Sequence, residues 1–202
     1  MTAQLDVDRT HREIDTSGIT LHAVVAGPAS GEPLILLHGF PEFWYGWRKQ
    51  IPALAEAGYR VIVPDQRGYN LSDKPEGLDS YTLRTTAADA VGILDSLGYD
   101  EAKFVGHDWG AAVLWQVLLE HPDAVDRVVT INIPHPAVFD EYLEKPRQML
   151  RSSYMFFFQI PYLSEKALAA RDCWGFRKFL ATTNSPDAFT ETDLDRYREA
   201  WT

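Results

Sequence analysis

The first part of the chain carries the two-residue periodicity of β-strands. Two β-prone segments within residues 10–26 flank the turn pair Ser17-Gly18, and apolar side chains alternate over residues 19–25. This pattern predicts an antiparallel hairpin. The next apolar run, residues 34–37, is continuous rather than alternating, which is typical of a strand buried on both faces. We therefore expect a parallel sheet to follow the hairpin.

Helical periodicity and short apolar runs then alternate. The pattern predicts helices over residues 47–57, 83–97 and 111–120, and further strands over residues 60–63, 103–105 and 127–133. Gly58 and Gly98 follow the first two helices, at the position where glycine commonly ends a helix. Alternation of strands and helices indicates the α/β class, with a sheet that starts antiparallel and continues parallel.

The composition changes after Pro136. The last 66 residues contain 13 of the 25 aromatic residues, whereas the first 136 contain 12, so the two regions are built differently. We predict an α/β core over residues 1–136 and a helical lid over residues 137–202, with helices at 139–152, 164–173 and 192–201. Additional helices packed on the core are the alternative interpretation of the same aromatic segment.

Charge and composition exclude several classes of function. Lys and Arg number 19 against 29 Asp and Glu, a net charge of −10, so a nucleic-acid partner is not expected. No apolar run is long enough to cross a membrane, and the first residues are too polar for a signal peptide, which predicts a cytoplasmic protein. Cys173 is the single cysteine, so neither a disulfide nor a zinc or iron–sulfur centre is expected.

A candidate nucleophile lies between the strand at 103–105 and the helix at 111–120. The sequence Gly106-His107-Asp108-Trp109-Gly110 has the small-x-nucleophile-x-small spacing of a sharp strand-to-helix turn that lifts the central side chain, here Asp108, into a cleft. The helix N-terminus favours an ionised carboxylate there. An Asp N-cap between two turn glycines is the structural alternative.

Four other segments form a recognisable set together with this turn. HGFPE (38–42) follows the first parallel strand, DQRGYNLSDKP (65–75) follows the second, and NIPHP (132–136) and YMFFFQ (154–159) come later. Together with GHDWG (106–110) they resemble the α/β-hydrolase fold and, within it, the epoxide hydrolases.

The resemblance implies roles for particular residues. Asp108 is the nucleophile, and the backbone N–H groups of Phe40 and Trp109 form the oxyanion hole. Tyr154 matches the first of two lid tyrosines that protonate the epoxide oxygen, with packing among phenylalanines as its alternative. The Phe40–Pro41 peptide is a candidate cis bond. The residues expected to line the substrate pocket are His38, Pro41, Trp44, His107 and Phe158.

Three of those residues also have a purely structural interpretation. His38 and His107 flank motif positions and are expected to orient loops by hydrogen bonds. Trp44 either lines the pocket or packs at the start of the following helix.

The chemistry of a carboxylate nucleophile narrows the substrate independently. Attack on a carbon that bears a leaving group gives a stable alkyl ester, so the substrate is an alkylating electrophile. A small hydrophobic epoxide is the first candidate because its alkoxide needs an acidic donor such as the Tyr154 phenol. The alternatives are a haloalkane dehalogenase of the same fold and a non-catalytic binding module. The mechanism requires no cofactor and no metal.

The sequence does not supply a recognisable general base. In this fold the acid and the histidine follow the nucleophile on loops after two further strands, whereas only His121 and His135 follow Asp108. The chain is therefore expected to be truncated within its lid. The strand at 127–133 would then be an apolar sheet edge, open to self-association or to a complementary chain.

Overall fold

The chain folds as two compact units, Met1–Ile133 and Pro134–Thr202. The computed structural model describes residues 7–16, 18–158, 160, 163–183 and 188–202. The sequence predicts the boundary after Pro136 rather than after Ile133. The interpretation of the second unit as a lid remains a prediction.

A six-stranded mixed sheet forms the centre of the first unit. The spatial order is β1-β2-β4-β3-β5-β6; β1 and β2 form the antiparallel hairpin, β2 pairs antiparallel with β4, and the remaining pairs are parallel. The predicted hairpin and the change to parallel pairing are both confirmed, although Ser17 of the turn lies outside the described residues. The strands are β1 (Arg9–Thr16), β2 (Ile19–Ala26), β3 (Pro33–Leu37), β4 (Arg60–Pro64), β5 (Ala102–His107) and β6 (Val125–Ile131).

The helices of the first unit follow the predicted order. They are α1 (Gln50–Glu56), α2 (Leu83–Leu97) and α3 (Trp109–Glu120). Helix α2 has the predicted bounds: the Thr82 side chain accepts from the Thr85 N–H, and Gly98 ends the helix in the left-handed conformation at φ 75°. The first helix begins later than predicted because Trp44–Trp47 form a separate 3-10 turn. Pro52, which lacks an N–H, then falls in the first turn of α1, where none is needed.

The core of the first unit lies between the sheet and helices α2 and α3. Leu34–Leu37 of β3 are buried, as the continuous apolar run predicts. Ile93 and Leu94 of α2 and Leu114 of α3 are at most 1 % exposed and belong to the same hydrophobic cluster as Ile35 and Leu37. The β3 strand is therefore held rigidly, and the loop at its carboxyl end starts from a fixed position.

Strand β6 has one paired edge. It pairs in parallel with β5, and no other described strand pairs with its outer edge. Val129 is 53 % exposed, and Val128 and Ile131 are also exposed. An apolar sheet edge is thus present, as predicted, although the strand is Val125–Ile131 rather than 127–133.

The described residues of the second unit are helical, as the sequence predicts. The helices are α4 (Pro136–Leu143), α5 (Pro146–Arg151), α6 (Ser153–Phe158), α7 (Leu163–Thr183) and α8 (Glu191–Trp201). The single helix predicted over 139–152 is wrong, because Pro146 follows Lys145 in the extended conformation and starts a new helix. Within the described residues, no helix combines the length and apolarity needed to cross a membrane.

Candidate functional site

Asp108 occupies a strained turn at the carboxyl end of β5. Its φ of 49° lies in the left-handed region, which is uncommon for a residue with a side chain. The turn is held from both sides: the Asp108 N–H donates to the Ile131 carbonyl, and the Asp108 carbonyl accepts from Ala111 and Ala112 in the first turn of α3. The side chain makes no helix-capping bond, so the N-cap interpretation of Asp108 is not supported.

Glycines surround this turn because side chains would not fit. A Cβ on Gly110 would lie 2.4 Å from the Leu37 carbonyl oxygen, and one on Gly106 would lie 2.6 Å from the Gly110 carbonyl oxygen. A Cβ on Gly39 would lie 2.6 Å from the Cβ of Asp108. The two glycines of the predicted elbow and the glycine of HGFPE therefore all permit the close approach of β3, β5 and α3.

The Asp108 carboxylate meets a backbone donor from the neighbouring loop. The Phe40 N–H donates to Asp108 Oδ1 at 3.0 Å. Trp109 is the first residue of α3, so its N–H belongs to the helix start that has no partner within the helix. The structure thus brings together the loop after β3 and the start of α3 around one carboxylate. The Phe40–Pro41 peptide is cis, as the sequence predicts.

His38 is a structural residue of this site. It is completely buried, its Nδ1 contacts the Gly39 carbonyl oxygen at 2.9 Å, and its Nε2 accepts from the Gln66 N–H at 3.0 Å. Burial lowers the pKa of His38 below its usual value, with the nearby Asp65 carboxylate opposing that shift. His38 therefore joins the loops after β3 and β4 as a neutral imidazole, and its burial gives it no surface towards a pocket.

His107, the last residue of β5, connects two loops beside Asp108. Its Nδ1 lies 3.5 Å from Glu42 Oε2, and its Nε2 lies 3.0 Å from the Asn132 amide nitrogen. The hydrogen bond to Glu42 raises the pKa of His107, and burial opposes this. His107 thereby ties the loop after β3 to the loop after β6 across the residue preceding Asp108.

Asp65 organises the loop after β4. It is fully buried and accepts from the His22 ring at 2.7 Å, from the Trp44 N–H at 2.8 Å and from the Asn70 amide at 2.7 Å. Asn70 belongs to the same loop, whereas His22 and Trp44 come from β2 and from the segment after β3, and these two distant contacts were not predicted. Arg67 bonds Asp89 on α2, at 2.5 and 2.6 Å, and so joins the same loop to that helix.

The remaining predicted site residues fall into two groups. Pro41 and Trp44 are buried in the first unit, and Trp44 packs edge-on against Phe43 and Tyr45. Phe158 and Tyr154 lie in α6 of the second unit, and the side chain of Tyr154 is outside the described residues. Sequence reasoning missed Tyr69, which packs edge-on against His38, with ring centroids 4.8 Å apart. Burial and the Asp108 carboxylate raise its pKa above the usual tyrosine value.

In the described part of the first unit, no histidine offers Asp108 a ring nitrogen that has no other contact. Both ring nitrogens of His38 and of His107 meet other groups. His121 lies at the opposite end of α3, a helix of 12 residues that spans about 18 Å. The described part of the first unit therefore places a carboxylate and a backbone N–H donor together, with the ring nitrogens of the neighbouring histidines bonded to other groups.

Known proteins place this architecture in context. The sequence profile of the alpha/beta hydrolase fold matches residues 32–201. A Bacillus subtilis protein, the AB hydrolase superfamily protein YfhM, is 47% identical over 189 residues, which cover 93% of this chain and 66% of the relative. Epoxide hydrolase 4 of Mus musculus is 44% identical over 191 residues, 91% of this chain and 53% of the relative.

Solved structures are similar over nearly the whole chain. Epoxide hydrolase A from Mycobacterium thermoresistibile superposes with a TM-score of 0.84 at 32% identity, over 96% of this chain and 70% of that structure. A mutant of an epoxide hydrolase from Bacillus megaterium, complexed with its product (R)-3-[1]naphthyloxy-propane-1,2-diol, gives 0.87 at 32% identity, over 94% and 66%. The chain spans about half to two thirds of the length of the curated relatives it matches.

Proposed function

The chain belongs to the α/β-hydrolase fold family, and from this membership we propose that it opens epoxides by attack of the Asp108 carboxylate. A carboxylate oxygen forms a bond to one epoxide carbon, and the C–O bond of the ring breaks. The electron pair goes to the ring oxygen, which takes a proton and becomes a hydroxyl. The product of this half-reaction is a hydroxyalkyl ester of Asp108.

The observation that supports this proposal best is the bond from the Phe40 N–H to Asp108 Oδ1. When water adds to the ester carbonyl, a carboxyl oxygen becomes an oxyanion, and in this proposal the Phe40 and Trp109 N–H groups donate to it. Loss of one such donor typically costs about 3–4 kcal/mol of transition-state stabilisation. The strained backbone of Asp108 keeps the carboxylate at this position without a capping bond.

The substrate we propose is a small hydrophobic epoxide. Phe40, whose N–H meets Asp108, and Trp109, which follows Asp108 in the chain, are 37 % and 49 % exposed, so apolar surface lies beside the proposed nucleophile. The diol bound to the Bacillus megaterium relative carries an aromatic group, which is consistent with such a substrate. In the second unit, Tyr154 is our candidate for the proton donor to the ring oxygen, and Phe158 for an apolar pocket residue.

We infer that hydrolysis of the ester is slow in this chain. General-base assistance is worth about 10²–10⁴-fold in rate. His107 precedes Asp108 in the chain and His38 lies in the neighbouring loop, and both ring nitrogens of each contact other groups. Turnover to the diol would then need a base and an acid partner from another polypeptide, and diol formed by the chain alone would assign the base to His135 of the second unit. The ester should accumulate rather than turn over.

The first prediction is a stable covalent adduct. After incubation of the 202-residue chain with a small aryl epoxide, intact mass spectrometry should show one added epoxide mass, located by peptide mapping on Asp108. Little diol should form over the same period. The Asp108→Asn variant should remain unmodified, whereas Asp123→Asn, a matched change of an exposed aspartate in the same unit, should react like the parent.

Three outcomes would count against the proposal. An adduct on another residue would contradict the role of Asp108. Release of halide from a haloalkane, without reaction with epoxides, would assign the chain to dehalogenation. Binding of the epoxide with no adduct and no effect of Asp108→Asn would indicate a binding module.

We also propose that the outer edge of β6 pairs with a strand of another chain, either a second copy or a complementary polypeptide. The exposed Val128, Val129 and Ile131 side chains support this, because unpaired apolar strands associate readily.

A further inference from the structure

A hydrogen-bonded chain of three side chains, which the proposed reaction does not use, runs from the surface to the buried Asp65. His11 Nδ1 lies 2.8 Å from His22 Nε2, and His22 Nδ1 lies 2.7 Å from Asp65 Oδ2. The two imidazole rings stack with centroids 5.0 Å apart. His11 is exposed on β1, whereas His22 on β2 is 6 % exposed and Asp65 is completely buried.

The geometry fixes where protons sit in the His11–His22–Asp65 chain. The Asp65 carboxylate accepts hydrogen bonds from three groups, so the His22 Nδ1 that faces it carries a proton. Between His11 Nδ1 and His22 Nε2, at 2.8 Å, there is room for one proton only. The pair can therefore accept one proton and keep its hydrogen bond, because the exposed Nε2 of His11 takes it. A second proton would place two N–H groups face to face and separate the rings.

The His11–His22–Asp65 chain contacts the loop that carries the oxyanion donor. The Trp44 ring stands edge-on to His11 with centroids 5.5 Å apart, and the Trp44 N–H donates to Asp65 Oδ1 at 2.8 Å. Trp44 starts the 3-10 turn that directly follows HGFPE, the segment whose Phe40 N–H donates to Asp108. One side of this loop is thus fixed by the His11–His22–Asp65 chain and the other by the nucleophile.

We propose that the His11–His22–Asp65 chain is an acid-sensitive positioning element for the loop from Phe40 to Trp44. Near neutral pH the ring of His11 supports Trp44, and the Asp65 carboxylate holds the Trp44 N–H. When both histidines are protonated, His11 moves away from His22 and Trp44 loses its contact with the His11 ring. The loop keeps its bonds to Asp65 and Asp108 but is held less firmly at Trp44. The consequence for the Phe40 donor rests on the proposed function, whereas the proton-dependent movement does not.

Other charges around the pair affect when this happens. Arg9 is on the same strand as His11, Glu13 pairs with His22 across the hairpin, and Asp65 is the carboxylate at the buried end. His38, also near Asp65, accepts from the Gln66 N–H and therefore stays neutral. Burial lowers the pKa of His11 below its usual value, with His22 and Arg9 adding to this and Asp65 opposing it. Protonation of His11 is thus expected on the acidic side of the ordinary histidine range.

The test requires no substrate. Long-range ¹⁵N–¹H spectra of the histidine rings in the full chain, recorded from pH 8 to pH 5, report tautomer and protonation for each ring. At pH 8, His22 should carry its proton on Nδ1. The backbone amide resonances of Trp44 and Phe40 should then shift with the midpoint of the histidine protonation that occurs at the lower pH. Hydrogen exchange at the Trp44 amide, corrected for its intrinsic pH dependence, should be at least tenfold faster below that midpoint.

Two variants separate positioning from general pH effects. His11→Asn retains a side chain that can donate to or accept from His22 but cannot titrate, so the shift at Trp44 and Phe40 should disappear. His121→Asn removes a histidine at the end of α3 and should leave that shift unchanged. The proposal is overturned if His22 carries its proton on Nε2 only, if Trp44 does not respond in the parent chain, or if His11→Asn leaves the response intact. Failure of epoxide alkylation would affect the proposed function and none of these readouts.

Discussion

Gly110 shows how strongly the elbow depends on one missing side chain. A Cβ there would meet backbone atoms of Leu37 and His38 at 2.4–2.6 Å, and backbone of the central strand cannot move aside as a flexible side chain can. Gly110→Ala should therefore destabilise the chain by about 1–3 kcal/mol, the usual cost of overpacking, and should also slow alkylation of Asp108. Thermal unfolding and adduct formation measure the two effects.

A matched glycine provides the control. Gly175 lies within α7, and a Cβ built on it contacts nothing within 4 Å. Gly175→Ala should be neutral or stabilising by up to about 1 kcal/mol, because alanine favours helix. If Gly110→Ala has the same unfolding temperature as the parent chain and Asp108 is alkylated at the same rate, the close packing of the elbow is not what holds Asp108.

At the scale of secondary-structure elements, the buried ion pair of Arg67 and Asp89 joins the loop after β4 to helix α2. Arg67 donates twice to Asp89 and also to the Ser80 carbonyl, so one guanidinium joins three segments. Asp89→Asn removes the charge and leaves Arg67 buried and unpaired, which should cost about 3–5 kcal/mol of unfolding free energy. Asp95→Asn, on the exposed side of the same helix, should change stability by less than about 0.5 kcal/mol. Equal effects in denaturant unfolding would contradict a specific role for the pair.

The elements also show what the sequence could and could not predict. Local patterns were sufficient to predict the hairpin, β3 and α2, because the hydrophobic periodicity of each element and the residues that start and end it lie within the segment itself. The glycines and the central Asp108 were sufficient to predict the elbow. The bonds of Asp65 to His22 and Trp44, and of Arg67 to Asp89, were not predictable, because each joins residues at least 21 positions apart. The helix expected over 139–152 was wrong because proline disfavours helical backbone at the residue before it, and Lys145 is extended ahead of Pro146.

For the molecule as a whole, β6 is the surface most open to association. Val129 is half exposed on an edge that no described strand pairs with, so a charged side chain there should oppose strand pairing. Val129→Lys is expected to shift sedimentation of the chain towards the monomer at concentrations where the parent associates. Leu119→Lys replaces another exposed apolar residue, on α3, and should sediment like the parent. A parent chain that is monomeric at all concentrations would refute self-association through β6.

The bond from the Asp108 N–H to the Ile131 carbonyl has a consequence for synthesis on the ribosome. Every described contact that shapes the elbow, from β3 to β6, is made by residues that emerge before Pro134. At about 5–20 residues per second, Pro134–Thr202 takes roughly 3–14 s more to translate, much longer than strand and helix formation require. The turn that carries Asp108 can thus be assembled in a nascent chain whose aromatic-rich second unit has not yet been made.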